Sequence, residues 1–221
     1  MKHYLVKRVL LCICSTLFSI HAATAAPVIS ELFYDAVGPD AGKAFVELSG
    51  TPGESLDGLV LEGVNGTGGT VYRTLALSGV IPADGIFLIG DDNAGSTAVP
   101  GADLIADIDY QNGPDSVVLR NGAVILDAVG YGSFGGSSIF AGEGAPAPDP
   151  ASGSSIARFN PLFDSGDNSL DFVVLETPTP GSIMAVSQVP LPAGLWLFAS
   201  GLIPLLSTQF RRRVAVFPSA A

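Results

Sequence analysis

The residues of this chain that could do chemistry are mostly carboxylates, and they occur in short clusters. The densest cluster is FDSGDNSLDF, which contains Asp164, Asp167, Asn168 and Asp171. Closely spaced carboxylate and amide oxygens on a turn are the ligands that a hard cation such as Ca²⁺ requires. The spacing is not that of an EF-hand loop, and Asp and Asn commonly hydrogen-bond the backbone of their own turn. Calcium binding and a purely structural turn are therefore both hypotheses for this segment.

A second set of acidic residues could ligate a cation if the fold brought its members together. The set follows the apolar stretch GIFLIG and comprises Asp91, Asp92, Asn93, Asp103, Asp107 and Asp109. Solvated loop charges are the simpler interpretation of such residues.

Glu31 and Glu47 differ from these clusters because each is a charge embedded in an apolar stretch. Two neighbouring carboxylates could act as the acid and base of a glycan hydrolase, a mechanism that needs no His or Cys. Sugar sites usually also present exposed aromatic side chains, and the single tryptophan, Trp196, lies in a C-terminal apolar run. We therefore favour a structural role, with backbone groups or arginines as partners, and assign no catalytic residue. The arginines available for pairing are Arg73, Arg120 and Arg158.

The N-terminus has the three parts of a secretory signal peptide: basic MKHYLVKR, apolar VLLCICSTLFSI and small-residue HAATAAP. Cleavage by signal peptidase after Ala25 puts Ala23 and Ala25 at the small-residue positions, and cleavage after Ala26 is the alternative. Residues 1–25 contain every cysteine and histidine of the chain. Their removal excludes disulfides, thiolate nucleophiles, Ser-His-Asp triads and ordinary zinc sites from the mature protein.

The exported part is strongly acidic. Between residues 26 and 189, four basic residues stand against 21 acidic ones, a formal net charge of −17. Such a surface repels phosphate backbones, so nucleic acid is not an expected partner. Cations, or an extracellular polysaccharide cross-linked by cations, fit this charge better.

The same region predicts an all-β fold, because short alternating or apolar runs are separated by Gly, Pro, Asn and Asp. Regularly spaced strands without helices between them favour a β-sandwich. In DSVVLR-NG-AVILDAV, Asn121 and Gly122 are predicted to form the tip of a type I′ hairpin. The predicted strands are 28–34, 44–50, 58–64, 71–77, 85–90, 103–108, 115–120, 123–132 and 154–159. After the acidic turn FDSGDNSLDF, a final extended piece ending in TPTPG is predicted.

Several segments in order resemble the lamin-tail domain of exported bacterial proteins: VISELFYDAVGPDAGKAFVELSG, IPADGIFLIGDD, DSVVLRNGAVILDAVGYG and DSGDNSLDFVVLETPTPG. The resemblance spans residues 28–181 and implies an immunoglobulin-like β-sandwich, here residues 26–181. It also implies a binding, tethering or structural module rather than an enzyme. Nuclear lamin tails are associated with chromatin and DNA, a role that the acidity of this chain opposes.

Beyond a linker over residues 182–188, the chain has a stretch without charge from Leu191 to Phe210. As a helix it would extend roughly 30 Å and just cross a bilayer core. Arg211, Arg212 and Arg213 follow at once and are predicted to stay cytoplasmic with residues 214–221, leaving the domain outside. A permanent anchor, a removable signal and a last core helix are the three interpretations, and the arginines disfavour the last.

This C-terminus resembles the PEP-CTERM sorting signal of Gram-negative bacteria in its VPLPA-CTERM variant. Residues 189–213 contain its motif, an apolar helix and a basic cluster in the family's order, and the motif residues are Val189, Pro190, Leu191, Pro192 and Ala193. The resemblance implies cleavage near the motif by an exosortase, a membrane-embedded cysteine transpeptidase. The predicted precursor is anchored in the inner membrane facing the periplasm, and the product resides at the cell surface or in the extracellular matrix. Calcium-dependent surface adhesion and carboxylate-based glycan hydrolysis remain the alternative functions.

Overall fold

A computed structural model of the protein describes residues 25–161 and 163–182. Several of the predicted features lie outside these residues. They are the signal peptide up to residue 24, most of the linker, the sorting motif 189–193, the apolar stretch 191–210 and the arginine cluster 211–213.

The described region forms ten strands and one helical turn. The strands are β1 Val28–Phe33, β2 Phe45–Ser49, β3 Leu59–Asn65, β4 Val71–Ala76, β5 Ile86–Asp91, β6 Leu104–Ala106, β7 Asp115–Asn121, β8 Val124–Tyr131, β9 Ser155–Arg158 and β10 Phe172–Leu175, and the turn is α1, Asn168–Asp171.

The strands make two sheets. One has six strands in the order β10-β9-β1-β2-β5-β6, and the other has four in the order β4-β3-β7-β8. Side chains from both sheets form one apolar cluster, to which β2 contributes Val46 and Leu48 and β7 contributes Val117 and Leu119. The predicted all-β fold is therefore confirmed, and its architecture is that of two sheets enclosing a common core.

The predicted hairpin is present, but its tip was placed one residue too early. Asn121 is still in β7, where it pairs with Leu59 of β3 and Val124 of β8, so Gly122 and Ala123 form the loop. Gly122 has φ of +57°, and Ala94 alone has positive φ among the described non-glycine residues. One glycine at the first loop position is the pattern of a type II′ turn, not the predicted type I′. Pairing with β3 holds Asn121 extended.

The segment after β9 contains a feature that the sequence did not predict. Asp167 caps α1, with its side chain accepting a hydrogen bond from the Ser169 amide, and β10 follows directly. A single turn is too short to show a helical repeat, which is why the segment read as a turn followed by an extended piece. Within the described ranges, no helix combines the length and apolar character that crossing a bilayer needs.

Candidate functional site

Arg158, at the end of β9, is a fully buried cation surrounded by acidic side chains. Its Nη2 lies 2.9 and 3.0 Å from the two carboxylate oxygens of Asp127, and its Nη1 lies 2.9 Å from Asp171 and 3.3 Å from Asp164. The guanidinium also lies over the ring of Phe172, 4.7 Å from its centroid. The planar fork of arginine suits several partners at once, because its five N–H donors point in fixed directions.

The partners of Arg158 come from separate parts of the chain. Asp127 is in β8 of the four-stranded sheet, and it also accepts a 2.6 Å hydrogen bond from the amide of Ile29 in β1. Asp171 ends α1 and accepts a second hydrogen bond from the Ser165 amide. The cluster therefore links the two sheets and the α1 segment. Breaking one side of such a buried ion pair leaves an uncompensated charge in the core.

The structure gives each predicted calcium ligand a protein partner. Asp164 and Asp171 both bind Arg158. The exposed carboxylate of Asp167 accepts hydrogen bonds from the hydroxyl and amide of Ser169 and from the Ala145 amide, and these bonds lower its pKa. Buried Asn168 accepts from the amides of Gly130 and Glu143 and donates to the carbonyl of Ala128. The Ser169 contacts of Asp167 match the structural-turn hypothesis, and all four residues also have partners beyond their own turn.

A different set of acidic residues comes closest to a metal-binding arrangement. Asp127, Glu143 and Asp164 each offer a carboxylate oxygen, and these oxygens lie within 4.8 Å of one another, the one such group among the described residues. Oε2 of Glu143 is buried, and it has no hydrogen-bond partner among the residues that the structure describes. Burial, and then the charges of Asp127 and Asp164, raise the pKa of Glu143 to about 7. Arg158 supplies positive charge here, so a metal ion would have to compete with its guanidinium.

Several members of the second acidic set accept hydrogen bonds from backbone amides. Asp91 is buried and accepts from the amides of Gly42 and Ile108. Asp103 accepts from the amide of Leu88, and Asp107 pairs with Arg73. Asp92 accepts a hydrogen bond from the amide of Gly95 within its own turn.

Glu31 and Glu47 form the other buried acidic site. They are directly opposite each other in the β1–β2 pairing, and their side chains are 2% and 1% exposed. Because Val46 and Leu48 face the core between the sheets, Glu47 lies on the outer face of the six-stranded sheet. Residues directly opposite in an antiparallel pair share a face, so Glu31 lies there too. The sequence prediction that they are neighbours across a sheet is confirmed.

Hydroxyl and backbone groups, rather than arginines, are the partners of these two glutamates. Ser155 and Thr179 donate to Glu31, with the Thr179 amide and hydroxyl at 2.9 and 2.7 Å from its two oxygens. Ser30 donates to one oxygen of Glu47, and the Gly181 amide donates to the other at 3.0 Å. Burial, with a smaller contribution from the charge of Glu31, raises the pKa of Glu47 to about 7.

Two acidic residues of these sites were missed by sequence reasoning. Asp127 interrupts the apolar stretch AVILDAVGYG, which is the same signal that singled out Glu31 and Glu47. Glu143 lies in a Gly- and Pro-rich loop, where no spacing or periodicity distinguishes it.

Comparison of the chain with models of known protein families and with curated proteins finds no match to either. The resemblances to a lamin-tail domain and to an exosortase sorting signal therefore stay predictions.

Proposed function

We propose that this chain is an exported surface or extracellular-matrix protein, processed by signal peptidase and an exosortase. Its β-sandwich is an immunoglobulin-like, lamin-tail-type binding or structural module without enzymatic activity. The observation that carries the proposal is the order of elements over residues 189–213, namely the VPLPA motif, an uncharged stretch and three arginines.

The surroundings of Glu31 and Glu47 support the non-enzymatic role. A glycan hydrolase needs both carboxyl groups to reach the bond that is cleaved. Here both side chains are almost fully buried, and all four of their carboxylate oxygens accept hydrogen bonds from the protein itself. Hydrolysis of a glycan by purified protein, lost in a folded Glu47→Gln variant, would overturn this part of the proposal.

Calcium-dependent surface adhesion is the second candidate, favoured by the carboxylate oxygens of Asp127, Glu143 and Asp164. We rank it second because Asp127 directs both oxygens at Arg158 and Asp164 directs one. A calcium ion would have to pull these oxygens from a guanidinium that is itself buried.

Mass spectrometry of the mature protein from its native host tests the main proposal. We expect an N-terminus at Ala26, a C-terminus within or next to residues 189–193, and no peptide containing Trp196 or Arg211. Recovery of peptides with Trp196 and Arg211 from the mature protein would show a permanent membrane anchor instead. Recovery of Met1 from the mature protein would refute export through signal peptidase.

A further inference from the structure

The end of the described chain is a turn that lies on the outer face of the six-stranded sheet and belongs to neither sheet. After β10 ends at Leu175, the chain continues as ETPTPGS. The Ser182 amide donates to the Thr179 carbonyl at 3.0 Å, and Gly181 has φ of +73°. Proline at the second position and glycine with positive φ at the third are the features of a type II turn. The sequence TPGS therefore encodes this turn locally.

Two buried acids hold this turn against the sheet. Thr179 uses its amide and hydroxyl on Glu31, and Gly181 uses its amide on Glu47. An added Cβ at Gly181 would lie 3.8 Å from Leu88 of β5, so this part of the turn lies close to that apolar side chain of the sheet. No hydrogen bond of a β-ladder joins residues 178–182 to the sheet, as β10 has already ended.

The turn supplies hydrogen-bond donors to two carboxyl groups that lie directly opposite each other. Like charges directly opposite each other destabilise a strand pair, and buried carboxylates need hydrogen-bond donors. Without Thr179 and Gly181, the remaining donors are the hydroxyl groups of Ser155 for Glu31 and Ser30 for Glu47. Glu31 and Glu47 thus accept the hydrogen bonds that the turn donates. We name residues 178–182 the strap.

The strap lies shortly before the predicted processing motif in the sequence, so its binding limits how far the motif can lie from the folded domain. With the strap bound, residues 183–188 are the connection to Val189, which spans at most about 20 Å when extended. With the strap released, the connection begins after Leu175 and spans at most about 45 Å. A bound strap therefore lowers the greatest possible distance between the folded domain and Val189 from about 45 Å to about 20 Å.

We propose that Glu31 and Glu47 hold residues 178–182 as a releasable strap, and that its release gives a membrane-embedded processing enzyme access to residues 189–193. The second half of this statement rests on the proposed sorting by an exosortase. The first half concerns the folded domain alone, and the two are tested separately.

Hydrogen exchange on the full chain in detergent tests the strap. In the wild-type protein we expect the amides of Thr179 and Gly181 to exchange slowly compared with the intrinsic rates of the same residues in an unfolded peptide. Thr179→Val keeps the side-chain shape but removes the hydroxyl donor to Glu31, so exchange in residues 178–182 should rise at least about tenfold while the strands keep their protection. Thr177→Val is the matched control, because Thr177 is exposed and makes none of these contacts. Wild-type exchange of residues 178–182 at the intrinsic rate of an unfolded peptide, or equal exchange in the two variants, would refute the strap.

Pulse-chase labelling in the native host tests the access step. The precursor with Thr179→Val should be converted to the processed form faster than the precursor with Thr177→Val. Conversion of wild type with equal rates for the two variants would overturn control of access while leaving the strap intact. No conversion of any form would instead refute the proposed sorting, and the access step with it, whereas the exchange measurement would still decide the strap.

Discussion

Glu47 should make the stability of this domain fall as the pH rises through neutrality, and Glu47→Gln should remove that dependence. The folded protein raises the pKa of this side chain from 4.5 to about 7, chiefly through burial. The folded state therefore keeps a proton that the unfolded chain releases. The resulting stabilisation is complete below the unfolded pKa and is lost as the pH rises through the folded one.

The size of the effect follows from the two pKa values. Between pH 5 and pH 8, linkage gives a loss of about 2.5 kcal/mol in the free energy of unfolding for a shift of this size. Glutamine is close in shape to a protonated glutamic acid but cannot ionise. Relative to wild type, Glu47→Gln should thus gain about 2.5 kcal/mol over this pH range.

Urea unfolding of the full chain, followed by circular dichroism at several pH values, measures this difference. Glu143 is the useful control because its pKa is also raised to about 7. Separate sites act additively, so the gain from Glu47→Gln should be the same with Glu143 or Gln at position 143. Parallel profiles for wild type and Glu47→Gln from pH 5 to 8 would refute the reasoning. A gain of opposite sign would show that the donors Ser30 and Gly181 outweigh burial and hold Glu47 ionised.

Three further predictions test other parts of the structure. Arg158→Met should destabilise the domain by about 3–5 kcal/mol because it leaves buried aspartates unpaired, whereas Arg120→Met, in a half-buried pair, should cost about 1 kcal/mol or less in the same urea assay. Gly122→Ala should cost about 1–2 kcal/mol because Gly122 has positive φ, while Asn121→Ala should change the stability by less than about 0.5 kcal/mol, and equal costs would contradict the type II′ tip. Millimolar calcium should leave the melting temperature unchanged, and a rise that Glu143→Gln abolishes would instead support calcium binding.

Much of this fold was predictable because its strands are encoded locally. The alternation of apolar and polar residues located nine of the strands, and the tenth, β10, was read as an extended piece. The parallel pairing of β5 with β6 was not predicted, because residues 92–103 connect these strands without a helix. The shifted hairpin tip has a similar cause, since pairing with β3 overrides the preference of Asn-Gly for a type I′ turn.

The sites were predictable in residue type but not in partners. A charge in an apolar stretch correctly singled out Glu31 and Glu47 as buried neighbours. Their donors Thr179 and Gly181 are 148 and 134 residues away in sequence, and no local pattern links such positions. Arg158 was expected as a partner for these glutamates, but the fold directs it to Asp127, which carried the same signal.

The two acidic sites stabilise buried carboxylates in different ways. Arg158 of the six-stranded sheet is a buried cation that balances carboxylates from β8 of the other sheet and from α1, so the charges join elements of the core. At Glu31 and Glu47 no cation is among the partners that the described residues provide, and the carboxylates depend on neutral donors that include Thr179 and Gly181. Neutral donors bind a carboxylate less strongly than a guanidinium does, so the second site is the easier one to open. If a domain tethered through its C-terminus is pulled, the strap should therefore detach first, while the Arg158 cluster keeps the two sheets together.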